Sequence, residues 1–280
     1  MEASVATPGQ QAKGLATDDR GFVYATLNTG SNATTQPWAI YHSDLTPVTG
    51  SPFTSATTAS KQIGGIAVQK LNGHYFAYIG SNRGAATIER WNVDDPSSPV
   101  LDTSWGTSGI IDLKSAAFSL GSNTFVNGLT VGADGTIFAT GGVNATDRGD
   151  AVFEISADGL SVTHTANVSG AMDDAILDGK LFVTQYLGPN SSIAVLHESD
   201  LSTVTTITNS PKGPYNNVNP DAFGYDAGYS GIDIGPDGKV YVAEQIYNND
   251  GTLFHDRILV SSPLAAPSFT SGASAAFALN

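Results

Sequence analysis

Apolar and polar residues alternate along most of this chain in short runs, and the runs come in pairs. Asn127 to Thr140, NGLTVGADGTIFAT, and Ser230 to Ala243, SGIDIGPDGKVYVA, each read as a small-residue opening, an alternating run, an Asp-Gly turn and a second alternating run. Period-two alternation places apolar side chains on one face of a strand, and Asp-Gly between two such runs is a hairpin signal. Three looser copies stand at Lys13 to Thr26, Gly64 to Ile79 and Asp173 to Thr184, the last shortened at its turn.

Taking the residue that opens each apolar run as a ruler gives Gly14, Gly65, Gly128, Asp174 and Gly231, at intervals of 51, 63, 46 and 57 residues. Further alternating runs fill each interval, among them Thr87 to Val93, Ala151 to Ile155, Ile193 to His197 and Arg257 to Val260. A repeat of this length carrying four strands predicts an all-β β-propeller, with five recognisable four-stranded blades in one domain spanning residues 1–280. A sixth blade has room only in Asp102 to Phe125. An all-β sandwich is the runner-up architecture and gives no reason for one phrase to return five times. Exposed strand edges invite pairing, so the ring is expected to close by pairing of its N- and C-terminal strands, Ala3 to Thr7 with Ser268 to Leu279.

In such blades the hairpins DDRG, GADG, LDG and GPDG make one plain side. The longer connections fall on the other: Leu27 to Pro37, Gly141 to Gly149, Glu244 to Asp256, and the insertions Asp102 to Phe125 and Asn209 to Tyr229. Loops lengthened on one side of a rigid scaffold are where binding and catalysis concentrate.

Charge and composition narrow the partners. Twelve basic against 26 acidic residues give a net charge of −14, which repels phosphate backbones and argues against nucleic acid. No apolar run approaches the roughly 20 residues of a membrane span, so membrane insertion is not expected. Cysteine is absent, which excludes disulfides and thiolate chemistry. A Ser-, Thr- and Asn-rich chain poor in lysine suggests an extracellular or periplasmic protein, without a signal peptide in this sequence.

Two phrases carry a resemblance. Leu45 to Phe53, LTPVTGSPF, resembles the blade ends of YVTN lactonase-like propellers, and NGLTVGADGTIF resembles the strand openings of SMP-30/gluconolactonase-like and NHL-repeat propellers. In the metal-dependent hydrolases of that group, side chains before the innermost strands hold a divalent cation in the central channel. Carried over, the resemblance implies Asn127 and Asp173 as ligands, calcium as the ion, and lactonase or esterase chemistry. The equivalent positions read Lys13, Gly64, Asn127, Asp173 and Ser230. One amide, one carboxylate and one hydroxyl beside a lysine depart from the oxygen-rich shell calcium takes, and the glutamate the family pattern expects in the first blade is absent.

The stronger expectation is a non-catalytic binding module. The insertion Asn209 to Tyr229 gathers Tyr215, Tyr225 and Tyr229 with Asn217 and Asp221, and Trp38, Trp105, Glu244 and Tyr247 are expected near the same side. Aromatic faces beside amides and carboxylates suit a glycan, a small molecule or a protein partner. Histidines 42, 74, 164, 197 and 255 are dispersed, and neither HExxH nor GxSxG occurs. Arg148-Gly149-Asp150 and the acidic turn Asn248 to Gly251 read as loop chemistry without a ligand set.

Overall fold

All five hairpins form, each as the first half of its own antiparallel sheet. The computed structural model describes residues 11–28, 36–57, 62–83, 85–115, 118, 120, 124–142, 149–186, 191–208, 226–235, 237–247 and 253–261. The first sheet holds β1 (Gln11–Thr17), β2 (Val23–Asn28), β3 (Pro37–Tyr41) and β4 (Phe53–Thr54) in chain order. The second holds β5 (Gln62–Leu71), β6 (His74–Arg83), β7 (Thr87–Asn92) and an outer strand in two pieces, β8 (Val100–Leu101) and β9 (Ile110–Asp112), both paired to β7. The third runs β10 (Phe125–Val131), β11 (Ile137–Gly142), β12 (Ala151–Ile155) and β13 (Val162–Asn167). The fourth runs β14 (Ala171–Leu177), β15 (Lys180–Gln185), β16 (Ser192–His197) and β17 (Thr203–Thr208). The last contains β18 (Asp226–Ile234), β19 (Val240–Tyr247) and β20 (Leu253–Val260) among the described residues.

Five successive meander sheets, each laid out in sequence order, are the blades of a β-propeller. The chain gathers into two compact units, residues 1–146 with 153–165, and residues 147–152 with 166–280. Alternation explains the core of each. In the first unit Tyr24, Trp38 and Ile40 of the first sheet meet Ile63, Ile66 and Ile79 of the second, while in the other unit Ala175, Phe182 and Val195 meet Tyr229, Ile232 and Val242. Sheets so stacked bury both faces.

In the first unit the short turns share one end. A side-chain carbon at Gly135 would stand 3.2 Å from both Ala157 and Leu71, and Arg20 donates to the Val93 and Asp94 carbonyls.

Three expectations change. Residues 102–125 hold no sixth blade: Val100–Leu101 and Ile110–Asp112 are halves of one outer strand, split by an excursion that folds back on itself. Glu244 lies within a strand, because β19 and β20 run on to Tyr247 and from Leu253 and leave only 248–252 as connection. Likewise Asp226 to Tyr229 belongs to β18 rather than to a loop. The proposed pairing of Ala3 to Thr7 with Ser268 to Leu279 lies outside the described residues.

Candidate functional site

All five innermost strands break register at the same place. The shifts fall between Ala12 and Leu15, Ile63 and Ile66, Val126 and Gly128, Ala171 and Asp174, and Tyr229 and Gly231. These are β-bulges, which re-aim side chains at sheet ends and beside functional sites. A threonine on the second strand fastens three of them. Thr26 Oγ1 accepts the Gly14 N–H at 2.8 Å, Thr140 Oγ1 that of Gly128 at 2.9 Å, and Thr184 Oγ1 that of Asp173 at 3.1 Å. The Thr26 hydroxyl also donates across to Gly64 O in the next sheet, at 2.7 Å.

That shared geometry shifts the fourth copy by one residue. Leu15 pairs Ala25, Ile66 pairs Ile79, Leu129 pairs Ala139, Ile232 pairs Val242, and the residue in the same place is Asp174, paired to Val183. Asp173 therefore occupies the glycine position and Met172 the one equivalent to Lys13, Gly64, Asn127 and Ser230. At Gly14 and Gly65 that position has no room for a side chain. A side-chain carbon at Gly14 would stand 3.0 Å from the Ile66 nitrogen, and one at Gly65 2.6 Å from the Leu129 nitrogen. Asp173 instead extends a carboxylate over the neighbouring inner strand, where Oδ2 accepts the Ile232 N–H at 3.1 Å.

The two carboxyls are electrostatically unusual. Burial pushes Asp173 up to about 7 against the opposing pull of the Ile232 and Asp174 N–H groups, with the negative charge of Asp233 adding to the rise. Asp174 is 4% exposed, and neither carboxyl oxygen has a hydrogen-bond partner. Burial and the neighbouring Asp173 push its carboxyl well above the usual range. Sequence reading missed Asp174 as a buried group, although a carboxyl at a position filled by Leu or Ile in the other four copies is a signal of its own.

These residues do not fit the cation that the resemblance implies. With the register corrected, the side chains at the equivalent positions are Lys13, Asn127, Met172 and Ser230 beside Gly64, a set without a carboxylate, whereas calcium takes six to eight oxygens. Asp173 spends one oxygen on a backbone N–H. Among the described residues no group of three or more His, Asp or Glu side chains is placed to hold a metal ion.

Of the residues expected to face a ligand, Trp105 is 1% exposed, with its indole N–H on Ala157 O at 2.9 Å and its ring edge-on to Tyr78. It serves the core, wedged between Tyr78 and Gly159, as does Trp38 among Ile40, Ile63 and Ile79. Tyr229 and Glu244 lie opposite each other on β18 and β19, each 3% exposed. Tyr215, Asn217, Asp221 and Tyr225 lie outside the described residues, and so does the Tyr247 side chain. His74 and His164 sit on exposed surfaces against Asp94 and Glu154, at 2.6 and 2.9 Å.

No family model and no curated protein matches the chain. Among solved structures, hydrazine synthase of Kuenenia stuttgartiensis is similar at a TM-score of 0.56 and 11% identity, over 95% of this chain and 66% of that one. A luciferin-regenerating enzyme gives 0.49 at 13% identity, over 93% and 87% of the two chains. Glutaminyl cyclase of Myxococcus xanthus gives 0.47 at 12% identity, over 91% and 93%. The chain spans just under two thirds of the hydrazine synthase chain, and likeness at such identity concerns the fold alone. Sheet order defines the class as the β-propellers, the group the two sequence phrases resemble.

Proposed function

We propose that this chain is an exported, non-catalytic β-propeller that binds a partner, a glycan in the first instance and otherwise a protein, at the strand ends opposite its short turns. The observation that carries this reading is how the polar groups at the inner-strand openings are spent. The hydroxyls of Thr26, Thr140 and Thr184 and the carboxylate of Asp173 each accept a backbone N–H, so the one carboxylate that the resemblance assigns to a metal serves as a fastener between strands. Recognition then falls to Tyr215, Asn217, Asp221 and Tyr225, whose ring faces and amide and carboxylate groups suit sugar CH faces and hydroxyls.

Tyr215→Ala and Tyr225→Ala are expected to abolish retention on a glycan array while leaving the melting temperature unchanged. Tyr229 is unsuitable for this test because it is a core residue. An array on which both variants keep every wild-type signal removes the glycan reading. Chelator-sensitive lactone hydrolysis by the purified chain overturns the non-catalytic one.

A further inference from the structure

The excursion that splits the outer strand of the second sheet builds a cavity. Trp105 is driven against the β12–β13 turn, where its indole N–H and the Gly106 N–H donate to the Ala157 and Asp158 carbonyls at 2.9 and 3.0 Å. Gly159 lies flat on the indole. A side-chain carbon there would stand 2.7 Å from the ring, and its φ of +73° favours glycine as well. The chain then turns back tightly at Ser108-Gly109, both at positive φ, into β9. Between β9 with the residues after it and the Gly159-Leu160 turn remains a solvent-accessible cavity of about 320 Å³, at the lower end of the range for small-molecule sites.

Its chemistry is one-sided. Ile110, Phe118 and Leu160 with the Gly159 backbone form an apolar wall, and Leu160 is 58% exposed although large and apolar. Thr107, Asp112 and Ser115 are its polar residues, and the Asp112 carboxylate is the charged group of the lining. The Asp112 to Ser115 edge is held in shape by its own backbone: Asp112 Oδ1 accepts the Lys114 N–H at 3.0 Å, the Asp112 carbonyl that of Ser115 at 3.0 Å, and the Ser115 carbonyl that of Phe118 at 3.1 Å.

We propose that this cavity is a binding site for a small arylalkylamine, with the aromatic body against Ile110, Phe118 and Leu160 and the ammonium on Asp112. The net charge of −14 raises the local concentration of cations and favours that occupant over an anion of the same shape. The site is built entirely from residues of the first unit and is independent of the glycan reading.

The test titrates 2-phenylethylamine into the full chain and follows the Trp105 indole N–H resonance, which lies directly behind Gly159. A saturable, one-to-one shift is expected. Asp112→Asn should weaken binding roughly threefold, as for an exposed ion pair, and Leu160→Ser roughly fivefold through lost apolar contact. The neutral analogue 2-phenylethanol should bind the wild type about as weakly as the amine binds Asp112→Asn. Asp134→Asn, at the β10–β11 turn, should change nothing. Both substituted side chains in the cavity are exposed, so the melting temperature reports that the fold is intact. No saturable shift at millimolar probe, or equal losses in Asp112→Asn and Asp134→Asn, overturns the proposal and leaves only general attraction to an acidic surface.

Discussion

At the scale of single residues, the fourth blade departs from its siblings in two adjacent carboxyls. Asp174 stands where Leu15, Ile66, Leu129 and Ile232 stand, buried and without a hydrogen-bond partner. A buried polar group left unpaired costs about 1–3 kcal/mol, so Asp174→Leu is expected to raise the urea midpoint by an equivalent of that size. If the replacement also costs partner binding, the carboxyl is retained for function at the expense of stability. Asp173 gives the pH dependence its sign. Its native value of about 7 exceeds the ordinary aspartate value of 3.8, so the folded state holds a proton that the unfolded state releases. Stability from this group is complete below about pH 4 and lost as pH rises through 7, by at most about 4 kcal/mol. Asp173→Asn should flatten that slope in denaturation curves taken between pH 4 and 8. An unchanged slope in this variant would assign the dependence to Asp174, whose shift has the same sign.

Glu89 shows the opposite arrangement, a buried carboxylate with every need met. Its oxygens accept from the Ser55 hydroxyl at 2.6 Å, the Ala56 and Thr57 N–H groups at 3.0 and 2.6 Å, and the Trp91 indole at 2.9 Å. Four donors on one anion replace the counter-charge that burial otherwise demands. Glu89→Gln presents an amide N–H₂ to some of those donors and should lower stability by about 2–4 kcal/mol, read from the urea midpoint. Glu89→Asp, which keeps the charge, should lose less if charge rather than reach governs the site.

At the scale of elements, the recurring device is an inner strand with a bulge fastened by a threonine from its partner strand. Thr140 is fully buried, and Thr140→Val removes the acceptor for the Gly128 N–H at nearly constant volume. The bulge should loosen, at about 1–3 kcal/mol, and the Gly128 amide should exchange faster with solvent than its neighbours in β10. The hairpins themselves were readable because alternation and Asp-Gly turns are local signals. The bulges were not, since an extra residue leaves the apolar pattern intact on both sides. That is how the fourth copy came to be aligned one residue out: counted from its opening it gives Asp174 as the small residue. Counted from the second-strand phrases Ile137 to Thr140 and Leu181 to Thr184, it gives Asp173. Trp105 was misassigned for a related reason. Its burial depends on the β12–β13 turn some fifty residues on, and the short strand Ile110–Asp112 is visible only once it pairs with β7.

At the scale of the whole chain, one quantity acts on every element together. An excess of acidic over basic residues amounting to −14 charges opposes compaction through self-repulsion, and its long-range part is screened beyond about 8 Å at physiological ionic strength. Local ion pairs do little to relieve it. Arg90 with Asp102 and Arg20 with Asp18 form part-buried cation–carboxylate pairs, and their guanidinium groups also stack on Trp105 and Tyr75. Stacked, part-buried pairs of this kind are screened less than exposed ones. Added salt should therefore weaken the repulsion more than it weakens these pairs. Raising sodium chloride from low to physiological concentration at pH 7 should increase the melting temperature by about 2–4 °C, corresponding to roughly 1 kcal/mol for a chain of this size. The increase should shrink toward pH 4.4, the sequence isoelectric point, where little net charge remains to be screened. A melting temperature that falls with salt at pH 7 would mean that attractive pairs outweigh the net field. The Arg90 and Arg20 pairs would then contribute more than their number suggests.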